Sequence, residues 1–267
     1  LTVAIVAPLI LLIYFGLLTG PDLEGPVTGA EWVRILSEPN VYAKLLGRSI
    51  LIGLAATLIT IAIGLPTAWG ISRYVKRKTL ALTLLIVPSL TSNLLLIYAV
   101  FVMIAPGSVP MQILGSLGLV DPQGGILYTS TAVIIMLAYL YLPLMTIALF
   151  TTLEGIDTRV LNAARSLGAG PLKRFIHIVF PLVLPGLIAG LVIVFTPVTG
   201  SFVEAAILGG TDGMMFGTMI DSQLSSVNNE PRAAAMSLML LVSIFAILVI
   251  LQYGARKLAP GALRKKA

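Results

Sequence analysis

The chain has 267 residues, of which 58% are hydrophobic and only 10% charged, and its mean hydropathy is +1.03. A soluble domain carries about 25% charged residues because its surface must face water. This sequence has too few polar groups to coat a globule, and it lacks the low hydrophobicity of a disordered chain. An ordinary soluble enzyme is excluded, and the natural solvent for most of the chain is lipid.

With no cysteine, there is no disulfide framework, thiolate metal site or cysteine nucleophile, and the single histidine, His177, cannot build a zinc site alone. The formal charge is +6, but its placement matters more than its sum. Thirteen of the seventeen Lys and Arg fall in three short clusters, each beside an apolar run. No aromatic residues of the kind that stack bases are interleaved with them, so nucleic acid is not an expected partner.

A bilayer core of about 30 Å needs roughly 20 helical residues. Six apolar runs approach that length: 1–18, 46–71, 80–105, 126–150, 181–203 and 233–253. They do not alternate in polarity as barrel strands do. The first lacks a basic n-region and a small-residue cleavage site, so it reads as a helix rather than a signal peptide. Because the chain opens on Leu1, the reading leaves room for a cytoplasmic leader upstream. The expectation is an all-α integral membrane protein, a single transmembrane domain over 1–267 with six transmembrane helices.

Orientation follows from the charges. Arg73, Lys76, Arg77 and Lys78 follow the second run, and Arg159, Arg165, Lys173 and Arg174 lie between the fourth and fifth. Arg256, Lys257, Arg264, Lys265 and Lys266 close the chain, and the opposite loops hold only Arg34, Lys44, Arg48 and Arg232. The positive-inside rule then puts both termini in the cytoplasm. Acidic residues show the reverse bias: Asp22, Glu24, Glu31, Glu38, Asp121, Glu204, Asp212, Asp221 and Glu230 all fall outside or near the outer ends.

The inner loop 151–180 has helical spacing rather than linker composition. Leu153, Ile156, Val160, Ala163, Ala164 and Leu167 recur at three- and four-residue steps and make one apolar stripe. Glu154 and Asp157 lie early, where a helix N-terminus favours negative charge. Gly168 breaks that helix, and Gly170-Pro171 starts a second short one with Leu172, Phe175, Ile176 and Val179 on its apolar face. Such an element either docks a protein partner or lies on the membrane surface with Lys173 and Arg174 among anionic headgroups.

The residues Asn162-Ala163-Ala164, then three residues and Gly168, then nine residues before Ile178-Val179-Phe180-Pro181, resemble the EAA signature of permease subunits of type I ABC importers. Asn162 stands where that signature has Glu, and Phe180 where it has Leu. The segments Pro88-Ser89-Leu90-Thr91-Ser92-Asn93 to Tyr98-Ala99, Tyr139 to Asp157, and Gly200-Ser201-Phe202-Val203 with Leu208-Gly209-Gly210 are similar to the PotB-like, spermidine/putrescine-type members. Leu96 stands where those members often carry Arg.

The resemblance implies a MetI-like fold in the bacterial inner membrane, with the EAA loop forming a coupling helix that docks in a cytoplasmic ATPase. It assigns that docking to Asn162, Ala163, Ala164, Leu167, Gly168, Ala169, Phe175, Ile178 and Pro181. It also implies two ATPase subunits that bind ATP and Mg, a second, PotC-like permease chain, and a periplasmic solute-binding protein. The chain's own residues agree that the motor lies elsewhere. Lys78-Thr79 is its only Lys-Thr or Lys-Ser pair, and Arg77 precedes it where a phosphate-binding loop requires Gly. No cofactor and no catalytic residue is expected in this chain.

Polar groups inside apolar runs mark a solute path or helix–helix contacts. Thr91, Ser92 and Asn93 follow Pro88, which kinks its helix. Thr196 to Ser201, including Pro197, reads as an interruption of the fifth helix, either a solute-facing break or a plain kink. Glu204, Asp212 and Asp221 form an acidic outer mouth that would concentrate a cation, or are ordinary loop charges and binding-protein contacts. Tyr98, Tyr139 and Tyr141 are interface-belt aromatics or solute-stacking groups. An ion-gradient transporter is the competing class. It would need a carboxylate at mid-depth, and Glu204 is its one candidate.

Overall fold

The computed structural model describes residues 2–19, 26–119 and 125–258, with side chains for 6–19, 26–119 and 125–254. Asp22, Glu24 and Asp121, and the side chains of Arg256, Lys257, Arg264, Lys265 and Lys266, lie outside that description. The described residues are helical and carry no strand, only an isolated antiparallel bridge between Leu18 and Val27. Among the described residues four helices are long and apolar enough to cross a membrane, and a bent pair makes a fifth if counted as one span.

In chain order, α1 (Thr2–Leu17) covers the first predicted run and carries Pro8 inside it. A short amphipathic α2 (Ala30–Ser37) precedes α3 (Pro39–Tyr74), which extends the second run at both ends. The run 80–105 is not one helix. Pro88 has no N–H for the carbonyl four residues back, and the chain passes from α4 (Lys78–Ile86) through a 3-10 turn (Val87–Leu90). Thr91 is extended, α5 (Asn93–Ile104) restarts the helix, and the two halves lie 86° apart.

Next come α6 (Val109–Ser116), α7 (Ser130–Glu154) and α8 (Thr158–Ser166). The fifth span begins inside the predicted loop. α9 (Pro171–Arg174), a π turn (Phe175–Val179) and α10 (Phe180–Thr199) form one 29-residue helix. Pro181 explains the irregular turn. It cannot donate to the carbonyl of His177, and Phe180 N–H bonds Phe175 O instead. A second π turn (Ala205–Gly209), α11 (Phe216–Ser225) and α12 (Glu230–Leu258) complete the order.

The Cα positions cluster into two compact units. The first comprises Leu1–Gly53, Ile97–Ile134 and Thr199–Ile247. Its interior includes Leu18, Ile35, Ile97, Met111, Phe216 and Met236. Gly16 lets α1 approach α12 closely, since a Cβ there would lie 3.3 Å from the Ala235 backbone. Phe216 N–H donates to Ser49 Oγ at 2.5 Å, and Arg48 donates to Thr211 O at 2.8 Å.

Glu31 is wholly buried in this unit and holds Arg232 at 2.7 Å and Arg34 at 3.0 Å. These ties fasten α2 to the start of α12. A buried carboxylate that loses its cation is left uncompensated, so Arg232→Gln is expected to lower stability by about 1.5–3 kcal/mol. That corresponds to a drop of roughly 5 °C in the unfolding midpoint of the detergent-solubilised protein. Arg34 is 59% exposed, so Arg34→Gln should shift the midpoint by less than half as much.

The second unit comprises Leu54–Leu96, Ile135–Val198 and Leu248–Ala267. Ala68, Met145, Leu149, Leu153, Leu184, Val194 and Phe195 form its interior. Small residues bring its helices together, as is usual where lipid supplies no hydrophobic drive between helices. A Cβ at Gly186 would fall 1.9 Å from Thr152 Oγ1 and 2.9 Å from Ala148 O, so α10 lies directly on α7.

Candidate functional site

The loop after α7 is built by its end signals. Asp157 caps α8, its carboxylate accepting from Arg159 N–H at 2.8 Å. At the other end Gly168 takes φ +80, Gly168 N–H donates to Arg165 O, and Ala169 N–H donates to Ala164 O, both at 3.0 Å. This is a Schellman ending, which needs a residue that tolerates the left-handed region. Gly170 and Pro171 then start α9, with Pro where its missing N–H does no harm.

A Cβ at position 168 would meet nothing within 4 Å, so only backbone conformation demands glycine there. Gly168→Val should strain the turn by about 1–2 kcal/mol, enough for a roughly tenfold loss of uptake at a normal membrane level. Gly168→Asn, which adopts the left-handed region readily, should retain most uptake. Parallel uptake and immunoblot measurements on the two variants check this.

The apolar stripe read from the spacing is divided in two. Leu153 and Ile156 are buried, whereas Val160 is 47% and Leu167 88% exposed. Leu153 belongs to the last turn of α7, and α8 begins only after Gly155, so the helical rhythm crosses a break between two helices. Along α8 and beyond, Asn162, Ala163, Leu167 and Gly168 are exposed, and Ala164 and Ala169 are half-buried. Phe175, Ile178 and Pro181 are half-buried within the α9–α10 helix. Leu172 and Ile176 are exposed there, at 69% and 49%. His177 lies in the π turn, its Nδ1 3.1 Å from Lys173 O.

Glu154 corrects a second expectation. It ends α7 rather than opening the loop helix, a position the helix dipole disfavours for an acid. Cations and a hydroxyl compensate. Lys78 Nζ reaches its two oxygens at 2.7 and 3.0 Å, and Ser72 Oγ donates at 3.2 Å. Arg73 Nη2 donates to Leu153 O at 3.4 Å and Ile156 O at 3.2 Å, with its guanidinium 5.3 Å from the Trp69 ring centroid. From the sequence, Arg73 and Lys78 register only as charge bias. Glu154 read as an acid early in the loop helix, so nothing in the sequence signalled this pairing.

The pathway candidates fall in separate places. Thr91, Ser92 and Asn93 are exposed at the bend between α4 and α5, in the second unit. Tyr98, in the first unit, is 58% exposed on α5. Pro197 does not interrupt the fifth helix. Its ring fits the helical φ, and although it removes a hydrogen bond and crowds the carbonyl four residues back, α10 runs through it to Thr199. The break comes at Gly200, after which Ser201 Oγ hydrogen-bonds the Glu204 carboxylate, both side chains being buried. Glu204 therefore does not share the exposed surface of Asp212 and Asp221.

Residues 57–261 match the family of binding-protein-dependent transport system inner membrane components. The chain belongs to that family: it is a multi-pass inner-membrane permease subunit of an ABC importer. It is 35% identical to the spermidine/putrescine transport system permease protein PotB of Haemophilus influenzae, over 87% of this chain and 81% of the relative. Against PotB of Escherichia coli it is 34% identical, over 85% of this chain and 82% of the relative. A solved bacterial alginate ABC transporter, in complex with its alginate pentasaccharide-bound periplasmic protein, has a chain of the same fold, with TM-score 0.73 at 15% identity. That match covers 95% of this chain and 88% of the other.

Proposed function

We propose that this permease takes up a polyamine or a closely related organic cation, handed over by a periplasmic binding protein and driven by ATP hydrolysis in separate ATPase subunits. The single observation that carries this reading is the identity of a third or more with PotB permeases across most of the chain. Asp212, exposed in the turn that follows the second π turn, and Asp221, exposed on α11, suit attraction of a cation.

In this reading the chain crosses the membrane six times: α1, α3, the bent α4–α5 pair, α7, α9–α10 and α12, with both termini cytoplasmic. It pairs with a second, PotC-like permease. Asn162 to Ala169, with Phe175, Ile178 and Pro181, dock the ATPase, whose ATP and Mg remain outside this chain. Thr91, Ser92, Asn93, Tyr98, Pro197, Ser201 and Glu204 are the residues proposed to meet solute.

The test is uptake of labelled spermidine or putrescine into proteoliposomes containing the full complex and its binding protein. Uptake that requires ATP and the binding protein supports the reading. Uptake that runs on an ion gradient without ATP overturns it, and ATP-driven uptake of a different solute class overturns the substrate alone.

A further inference from the structure

The corner between α3 and α4 grips the end of α7 and the link that leads into α8 by separate contacts from neighbouring residues. Lys78 and Ser72 hold the Glu154 carboxylate, and Arg73, stacked on Trp69, caps the carbonyls of Leu153 and Ile156. Those carbonyls come at the end of α7, where intrahelical donors run out. No residue of the α8 helix is buried. A hollow of about 290 Å³ lies beside it, lined by Trp69, Leu161, Arg174, Phe175 and Val179 among others. A load on α8 therefore leaves through its ends. One end runs through Gly168–Pro171 into α9 and α10, and the other through Gly155–Asp157 into the grip of Arg73, Lys78 and Ser72.

We propose that Arg73, Lys78 and Glu154 are positioning residues of the coupling step, joining the base of α8 to the α3–α4 corner so that the two move as one body. The inference rests on the reading that α8 is where the ATPase docks. Lys78 and Glu154 are 37% and 43% exposed, so their pairing adds little to folding. What the pair supplies is a rigid joint between the loop and the two helices that meet at the corner.

The chain has no native cysteine, which gives a direct test in the full complex reconstituted with its ATPases and binding protein. K78C/E154C breaks the ion pair. We expect the ATPases to remain bound and hydrolysis to continue, while solute moved per ATP falls about fivefold or more, the lower edge of typical coupling. Tethering the two thiols with a short bifunctional reagent should restore most of that ratio. Three outcomes would overturn the proposal: an unchanged ratio in the untethered variant, a loss confined to the amount of protein in the membrane, or a tether that blocks uptake. Leu167→Asp serves as the control for the docking reading. If it leaves the ATPase bound, docking at α8 is wrong. If it releases the ATPase while K78C/E154C changes nothing, only the joint is wrong.

Discussion

Leu167→Asp is expected to release the ATPase from the complex and remove nearly all uptake, while the permease still inserts at its normal level. Leu167 is 88% exposed at the end of α8, so it supports no part of this chain's own interior. Burying such a side chain against a partner contributes about 1.5–3 kcal/mol. Aspartate removes that gain and adds the desolvation of a carboxylate. A loss of about 3 kcal/mol lowers affinity more than a hundredfold. Co-purification of the ATPase with tagged permease, compared with permease content by immunoblot, reads the two quantities separately. Equal ATPase recovery from variant and wild type would sink the assignment of α8 as the docking element.

Gly186→Val should have the largest effect on the fold. The new Cβ would meet Thr152 Oγ1 at 1.9 Å, Thr152 Cβ at 2.7 Å and Ala148 O at 2.9 Å, and the last is backbone. The two helices must separate, and overpacking of this kind costs about 1–3 kcal/mol and occasionally more. A second-site Thr152→Gly relieves the side-chain clashes but not the carbonyl, so rescue should be partial. Gly190 gives the contrast. Its nearest neighbour is the flexible Met145 Sδ at 2.7 Å, which can swing aside, so Gly190→Ala should be tolerated far better. Thermal unfolding of the solubilised variants orders the three.

Hydropathy made the membrane class and the main apolar helices legible, because lipid forbids charge over some twenty residues whatever the tertiary fold. The end signals of α8 were equally readable: Asp157, Gly168 and Pro171 act on hydrogen bonds within a few residues of themselves. Long-range partners left no local trace. Lys78 and Glu154 are 76 positions apart, and each reads alone as an ordinary loop charge. Periodicity misled at Leu153 and Ile156, because three- and four-residue steps persist across a helix end when only Gly155 marks it. Pro88 marked a kink through its missing N–H, but a scan for apolar residues does not register direction, so the size of the bend, 86°, stayed hidden. The Ser201–Glu204 contact spans only three positions, yet the sequence could not show that both side chains turn inward.

The π turn at Phe175–Val179 gives the fixed nine-residue interval between Gly168 and Ile178 a geometric meaning. Each residue of a helix advances its phase by about 100°, and the turn holds one residue more than a regular α-helical turn would. That surplus sets the angular bearing of everything downstream, including the notch at Gly186 that admits Thr152 and Ala148. Lengthening or shortening the interval by a single residue would rotate the notch off its mate however conservative the residue chosen. In this stretch the number of residues matters to the packing as much as their identity.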